Sequence, residues 1–109
     1  MRDNTGGIYQ GQWGDRATEQ GRVAEHSFSY CETEVHRLVE VAARSAAARR
    51  GQLHVIVKEG GMPTISALWR EIAGTVARKH NGKAKFMNID LAVYELIQNP
   101  ARFDVIVAP

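Results

Sequence analysis

The stretch Leu53-His54-Val55-Ile56-Val57, followed by Lys58-Glu59-Gly60-Gly61 and then by Pro63, decides the fold class of this sequence. An apolar run rich in β-branched residues is typical of a strand that is buried on both faces, as in parallel sheets. The glycine pair ends the strand, and Pro63 suits the first turn of a helix. The sequence therefore predicts a strand, a break and a helix in direct succession.

Helical and strand patterns alternate on both sides of this stretch. Apolar residues recur with helical spacing from about Glu32 to a stop at Gly51, and again from Pro63 to Asn81-Gly82. The remaining segments are a strand from about Ala84 to Ile89, a helix from about Leu91 to Gln98, and a last strand from Phe103 to Val107. This alternation predicts an α/β fold with a small parallel or mixed sheet made of βαβαβ units.

The first thirty residues predict a two-stranded hairpin. A strand from Ile8 to Trp13 leads to a long polar tip from Gly14 to Gly21, and a half-buried alternating strand follows up to Tyr30. Because such a ribbon is only marginally stable alone, we expect it to pair with another chain or to lie on the rest of the domain. With 109 residues, the chain is predicted to be a single domain with an arm, residues 1–30, and an α/β core, residues 31–109.

Composition excludes several classes of protein. Fourteen basic residues stand against 12 acidic ones, and a net charge of +2 is too small to favour nucleic acid or a membrane surface as a partner. The single cysteine, Cys31, excludes an internal disulfide and a cysteine-based zinc site. No apolar run approaches the roughly 18 residues of a membrane span, and the first residues lack a signal-peptide pattern. We therefore expect a cytoplasmic protein.

Two candidate site residues follow strands of the predicted sheet. Lys58 follows the central strand and Asp90 the next one, at the edge where α/β proteins bind ligands. A lysine there can act as a base or bind a carboxylate, and the alternative is a solvated lysine and a helix N-cap aspartate. Tyr9 in the hairpin is either a packing residue or a proton donor. Cys31 stands at a helix N-cap, with Glu34 in the capping-box position.

Seven segments of the chain form an ordered set of motifs. They are Arg2-Asp3-Asn4-Thr5-Gly6-Gly7-Ile8-Tyr9, Ser29-Tyr30, Glu34-Val35-His36-Arg37, Lys58, Leu68-Trp69-Arg70-Glu71, Ile89-Asp90, and Asn99-Pro100-Ala101-Arg102-Phe103-Asp104-Val105-Ile106-Val107. Taken together and in this order, they resemble the isopropylmalate and isocitrate dehydrogenase family of β-decarboxylating 2-hydroxyacid dehydrogenases. The first of them is similar to the family segment R-E-x-T-G-G-I-Y.

This resemblance implies the fold and assembly of the family's smaller, dimer-forming domain. The hairpin matches an arm that clasps the partner subunit, and the helices from Thr64 and Leu91 match an intersubunit bundle. In that arrangement Trp69, Ile72 and Tyr94 are expected to be buried by the partner. A homodimer with two-fold symmetry would follow.

The resemblance also assigns roles to four residues. Arg2 matches the arginine that binds the substrate carboxylate, and Tyr9 the tyrosine that protonates the decarboxylated enolate. Lys58 matches the lysine that one subunit contributes to the hydroxyl proton transfer in the site of the other subunit, and Asp90 a metal-ligand aspartate that is contributed in the same way. The family uses NAD(P) together with magnesium or manganese.

Other family segments have no counterpart in this sequence. The N-x-x-G-D-x-x-S-D segment with further metal ligands and the adenine-binding H-G-S-A-P segment are absent, and Gly60 stands where the family usually has asparagine. We therefore expect no cofactor-binding residues and no bound cofactor in this chain alone, which resembles a truncated dehydrogenase.

Several functions remain open. The first hypothesis is a stand-alone, homodimeric small domain that acts as an interaction module or binds a small carboxylate. The alternatives are a redox-independent acid–base enzyme, such as a decarboxylase or isomerase, and one chain of a split NAD-dependent dehydrogenase that needs a separate protein chain. A decayed gene product that merely folds is the remaining alternative. Whether the chain is an enzyme is left open by the sequence.

Overall fold

The computed structural model describes residues 1–109 and contains three α-helices and five strands in two sheets. The elements are β1 Gln12–Thr18, β2 Gly21–Ser27, α1 Glu32–Ala47, β3 Gln52–Val57, α2 Pro63–Lys79, β4 Lys83–Asn88, α3 Ile89–Gln98 and β5 Val105–Val107, with short 3-10 turns at Ile8–Gln10 and Pro100–Arg102. Strands β1 and β2 form an antiparallel arm, and the order β4-β3-β5 forms a parallel sheet. The α/β prediction is confirmed.

Helices α1 and α2 cover one face of the parallel sheet. Their apolar stripes follow the helical spacing that the sequence predicts, with Val35 and Val39 on α1 and Trp69 and Val76 on α2 all buried. Alternate β3 residues, including Val55, point into the same cluster, which contains 14 buried residues. This layer is the main core of the molecule.

The other face of the sheet is covered by α3 and the turn before β5. Its buried cluster has four members, Ile56, Met87, Ala92 and Phe103. His54, which lies in β3 like Ile56, is also fully buried, and the centre of its ring is 4.8 Å from that of the Phe103 ring. This second layer therefore contains far fewer buried residues than the first.

The arm differs from its prediction in length and burial. Residues predicted as a polar tip continue the ladder, since Asp15 pairs with Ala24 and Arg16 with Val23, and only Glu19-Gln20 form the turn. Polar residues are compatible with these strands because every residue of the ribbon is at least partly exposed to solvent. The rest of the chain therefore does not provide the predicted half-burial of the second strand, and its burial by another chain stays a prediction.

The segments beside the ribbon also differ from their predictions. Ile8–Gln10 is a 3-10 turn rather than part of a strand. Phe28 and Tyr30 lie beyond the end of β2, where both are partly buried.

Two helix starts also differ from the sequence predictions. Helix α3 begins at Ile89, so that Asn88 is its N-cap and Asp90 lies in its first turn instead of capping it. Cys31 is the N-cap of α1 as predicted, but no side-chain capping bond forms, because its Sγ lies 3.2 Å from the Thr33 hydroxyl. The capping box with Glu34 is therefore absent.

The shape of the chain is elongated. Its Cα radius of gyration is 16.2 Å, whereas a compact chain of this length has about 13 Å. The exposed arm accounts for the excess, and the principal extents are 56 × 33 × 19 Å. None of the helices combines the length and apolar character that a bilayer crossing requires.

Candidate functional site

Lys58 and Asp90 meet at the carboxyl ends of β3 and β4. The parallel register pairs Val57 with Asn88, so that the residues that follow each strand start from adjacent positions. Lys58 Nζ lies 2.5 Å from Asp90 Oδ2, and both side chains remain open to solvent. Its hydrogen bond to the Lys58 ammonium, with the attraction of that charge, holds the pKa of Asp90 below its usual value.

Backbone and side-chain contacts fix the loop that carries Lys58. The Ser66 hydroxyl accepts a hydrogen bond from the Lys58 backbone N–H at 3.2 Å, and Asn88 Oδ1 accepts one from the Glu59 N–H at 3.1 Å. Glu59 also pairs with Arg70, whose guanidinium carbon lies 4.5 Å from the centre of the Phe86 ring. Sequence analysis did not indicate these supporting contacts, because they join segments far apart along the chain.

Arg2 and Tyr9 form a second pair on the N-terminal segment. The Arg2 guanidinium carbon lies 5.1 Å from the centre of the Tyr9 ring, within the range of a cation–π contact. Arg2 also donates a hydrogen bond to Asn4 Oδ1 at 3.1 Å. Both residues border a cleft of about 230 Å³, which Tyr30 and Pro109 also line.

The backbone of the first residues adds a short parallel bridge beside β5. Arg2 pairs with Ala108, and the Asp3 N–H donates to the Ala108 carbonyl at 3.1 Å. This contact was not predictable from the sequence, because a single bridge of two residues leaves no periodic pattern. It brings Arg2 to the same sheet edge as Lys58.

Asp3, where the family segment has glutamate, organises the turn that follows Arg2. Its Oδ1 accepts hydrogen bonds from the Thr5 N–H at 2.8 Å, the Thr5 hydroxyl at 2.9 Å and the Gly6 N–H at 3.4 Å. Burial raises the pKa of Asp3, but these hydrogen bonds outweigh it and hold the pKa below its usual value. The Oδ2 atom is buried without a partner. Sequence analysis did not single out this residue.

The four residues assigned by resemblance therefore form two separate pairs in one chain. Across the sheet edge the order is Asp90, Lys58, the end of β5, and then Arg2 with Tyr9. No hydrogen bond or ion pair joins the Lys58–Asp90 pair to the Arg2–Tyr9 pair.

The donor set does not fit a metal centre within one chain. Nowhere do three or more histidine, cysteine, aspartate or glutamate residues come together, and the Asp90 carboxylate is already paired with Lys58. Magnesium requires near-octahedral coordination by oxygen atoms, and a single engaged carboxylate supplies little of it. The side chains of one chain therefore do not supply a complete metal site.

A sequence profile described as isocitrate/isopropylmalate dehydrogenase matches residues 1–109, the whole chain. The chain belongs to the isocitrate/isopropylmalate dehydrogenase family. It is 37% identical over 109 residues to 3-isopropylmalate dehydrogenase of Carboxydothermus hydrogenoformans, covering 98% of this chain and 29% of that protein. The enzyme of the same name from Bacillus subtilis is 36% identical over 110 residues, with 98% and 30% covered. The chain thus spans about 30% of the length of these relatives.

Solved structures show the same fold. Isocitrate dehydrogenase from Methylococcus capsulatus superposes with a TM-score of 0.86 at 24% identity, covering 98% of this chain and 32% of that one. A protein from Thermus thermophilus gives a TM-score of 0.85 at 22% identity, with 98% and 21% covered. The likeness extends over the arm as well as the α/β core, since almost the whole chain is aligned.

Proposed function

We propose that residues 1–109 act as one homodimeric domain of the dehydrogenase type that binds a small carboxylate between its two copies and is not by itself a complete dehydrogenase. The observation that carries this proposal is the division of four family-matched residues into two separate pairs. In a two-fold dimer, Arg2 and Tyr9 of one copy would face Lys58 and Asp90 of the other. Two equivalent composite sites would result.

The charges of the two pairs suit a hydroxycarboxylate ligand. The Arg2 guanidinium offers a planar fork of N–H donors for a carboxylate, and its face is already turned toward the Tyr9 ring. Lys58 is neutralised by Asp90 in the isolated chain. A ligand hydroxyl could accept a hydrogen bond from the Lys58 ammonium and donate one to the Asp90 carboxylate, so this side of the site suits the hydroxyl group of the ligand.

The outer face of α3 supports pairing with a second copy. Six apolar side chains of this ten-residue helix are exposed, and Ile97 is 74% exposed: Ile89, Leu91, Val93, Tyr94, Leu96 and Ile97. A helix that is apolar nearly all round is typical of a buried position. The face begins beside Asp90, so a second copy that covers it would also approach the Lys58–Asp90 pair.

A mixing experiment tests the composite site directly. Arg2→Ala and Lys58→Ala each disable one half, and neither variant alone should bind malate, used as the simplest hydroxy-dicarboxylate probe. In an equimolar mixture of exchanging dimers, about a quarter of the sites combine two intact halves. Isothermal titration should recover about that fraction of binding. If the mixture binds nothing although light scattering shows dimers, the composite site is wrong, and a stable wild-type monomer would contradict the proposal itself.

A second candidate is that the chain supplies these half-sites to a complete NAD-dependent dehydrogenase formed with a separate chain. The 37% identity to a 3-isopropylmalate dehydrogenase over 98% of this chain favours it. Co-purification from the native host would test it. Recovery of a nucleotide-binding chain, together with NAD reduction on a 2-hydroxy acid, is the expected result, and a pure homodimer without such a chain would contradict it.

The redox-independent alternative rests on Tyr9 and Lys58, which are both proton-carrying side chains. Decarboxylation or isomerisation of a carboxylate substrate would require both groups at one composite site. If Lys58→Ala and Tyr9→Phe leave every screened turnover unchanged, this alternative loses its basis.

A further inference from the structure

The position of Tyr9 depends on a short irregular segment. The hydrogen bonds to Ile106 and Ala108 fix Met1 to Asp3 at the sheet edge, but Tyr9 lies six residues further on, in a single 3-10 turn. The Tyr9 side chain is 70% exposed, so its own packing does not hold it. Another part of the molecule must therefore fix this turn.

Tyr30 is the side chain that connects the turn to the core. Its ring meets the buried ring of Trp69 edge to face at 5.8 Å. Its other end lies against Gly7, where a Cβ atom would stand 2.1 Å from the Tyr30 Oη and 2.6 Å from Cζ. A Cβ at Gly6 would also touch the ring, at 3.4 Å. The Tyr30 ring therefore runs along the two glycines.

The backbone of Gly7 connects this contact to the turn that contains Tyr9. Gly7 has a φ of 85°, a conformation that favours glycine, and its N–H donates to the Ser29 carbonyl at 3.1 Å. Its carbonyl accepts the Gln10 N–H at 3.0 Å, which closes the 3-10 turn around Tyr9. Any displacement of Gly7 therefore moves the start of that turn.

We propose that Tyr30, through its contact with Gly7, is a positioning residue that sets the Tyr9 ring against the Arg2 guanidinium. Burial, with the nearby charge of Asp3, raises the pKa of Tyr30, so its hydroxyl stays neutral against the glycine backbone. The inference rests on the proposed function only in expecting that this arrangement matters for carboxylate binding. The role of Tyr30 in placing the Tyr9 ring does not depend on carboxylate binding.

Fluorine NMR separates positioning from mere stability. The chain has three tyrosines, so the protein labelled with 3-fluorotyrosine gives three resonances, assigned by removing each tyrosine in turn. The Tyr9 resonance reports the adjacent Arg2 charge. Tyr30→Leu removes the whole ring, including the end that lies against Gly7, whereas Tyr30→Phe removes only the hydroxyl and keeps the ring there. Tyr30→Phe is therefore the matched control.

The expected result is a shift of the Tyr9 resonance toward that of the free amino acid in Tyr30→Leu. Malate affinity should fall by about fivefold, the scale expected when one aromatic side chain must be ordered on binding. Tyr30→Phe should retain the Tyr9 resonance and most of the affinity. An unchanged Tyr9 resonance and affinity in folded Tyr30→Leu would overturn the inference.

Two further outcomes are distinguishable. If the wild-type protein does not bind malate, the proposed function fails, and the Tyr9 resonance alone decides the positioning role. If Tyr30→Leu does not fold, Gly7→Ala decides it, because a methyl group there collides with the Tyr30 hydroxyl from outside the core. The Tyr9 resonance must then move while the circular dichroism of the helices is retained, and an unmoved resonance overturns the inference.

Discussion

The two faces of the parallel sheet are covered to very different extents. On the α1 and α2 side, 14 buried residues form a closed layer around Trp69. On the α3 side, only four residues form the buried cluster, and the outer surface of the covering helix is apolar and exposed. The first face is completed by this chain alone. The second leaves apolar surface in water, and the proposed dimer supplies the missing cover.

The largest effect is expected on the closed face. Trp69→Ala removes a fully buried indole and should lower the free energy of unfolding by about 3–5 kcal/mol, measured by urea denaturation. The matched control is Trp13→Ala on the arm, where the side chain is mostly exposed and stacks only on His26. That variant should change stability by less than about 0.5 kcal/mol. Equal losses in the two variants would contradict the comparison.

Substitutions on the exposed face of α3 should change the affinity of the dimer and not the stability of the single chain. Ile97→Lys is expected to weaken the dimer by about a hundredfold in sedimentation experiments, because a charge would be buried at the interface. The unfolding of the separated chain should hardly change. Val41→Lys is the control, since Val41 is an exposed apolar residue of α1. A dimer that tolerates Ile97→Lys as well as Val41→Lys would exclude this face as the interface.

The stability of the protein is expected to depend on pH through His54, which is buried on the α3 side of the sheet. Burial is the main reason why the pKa of His54 lies below the usual 6.5. The positive charges of Lys85, Arg102 and Arg50 lower the pKa further, and the negative charge of Asp104 opposes them. The unfolded chain therefore takes up a proton first, and the wild-type protein should lose stability as the pH falls below about 6.5, by up to about 1.4 kcal/mol per pH unit.

A variant without this histidine checks the pH dependence. In His54→Leu, the free energy of unfolding should no longer show this dependence on pH. The substitution should lower stability little at neutral pH, since neither ring nitrogen of His54 has a hydrogen-bond partner. The exposed His36→Gln is the control and should keep the wild-type slope. Denaturant midpoints between about pH 5 and 8 give the measurement, and parallel curves for wild type and His54→Leu would show that His54 is not responsible.

The smallest effect on stability is expected at the candidate site. Lys58→Met and Asp90→Asn break an ion pair that is open to solvent on both sides, so the melting temperature should not change measurably. Malate binding should nevertheless be lost in Lys58→Met. A large drop in melting temperature would mean that the pair holds the fold together, and full retention of binding would remove Lys58 from the site.

The regular elements were predictable from local patterns because each has a period of its own. The helical spacing of apolar residues from Pro63 to Asn81-Gly82 predicted α2, and the run from Leu53 to Val57 predicted the central strand; both are confirmed. The expectation that a partner buries Trp69 and Ile72 is wrong, because both lie in the core of their own chain. Tyr94, in contrast, is exposed, so its burial by a partner stays a prediction.

The site was predictable only in part. Parallel strands predict that Lys58 and Asp90 lie at one sheet edge, and the structure has both there; the ion pair between them was not predicted. The roles of these residues, like those of Arg2 and Tyr9, stay predictions. The Asn88 contact, the bridge at Arg2 and the Tyr30–Gly7 contact could not be predicted, because none leaves a periodic signal.

The sequence by itself determined the α/β class, the family and the residue types at the candidate site, because apolar periodicity and ordered motifs are local properties of the chain. Only the tertiary structure decided the strand order β4-β3-β5, the division of the site into two pairs and the imbalance between the two sheet faces. These depend on which distant segments come together. That choice is made by the burial of whole apolar faces against one another, and no local pattern records it.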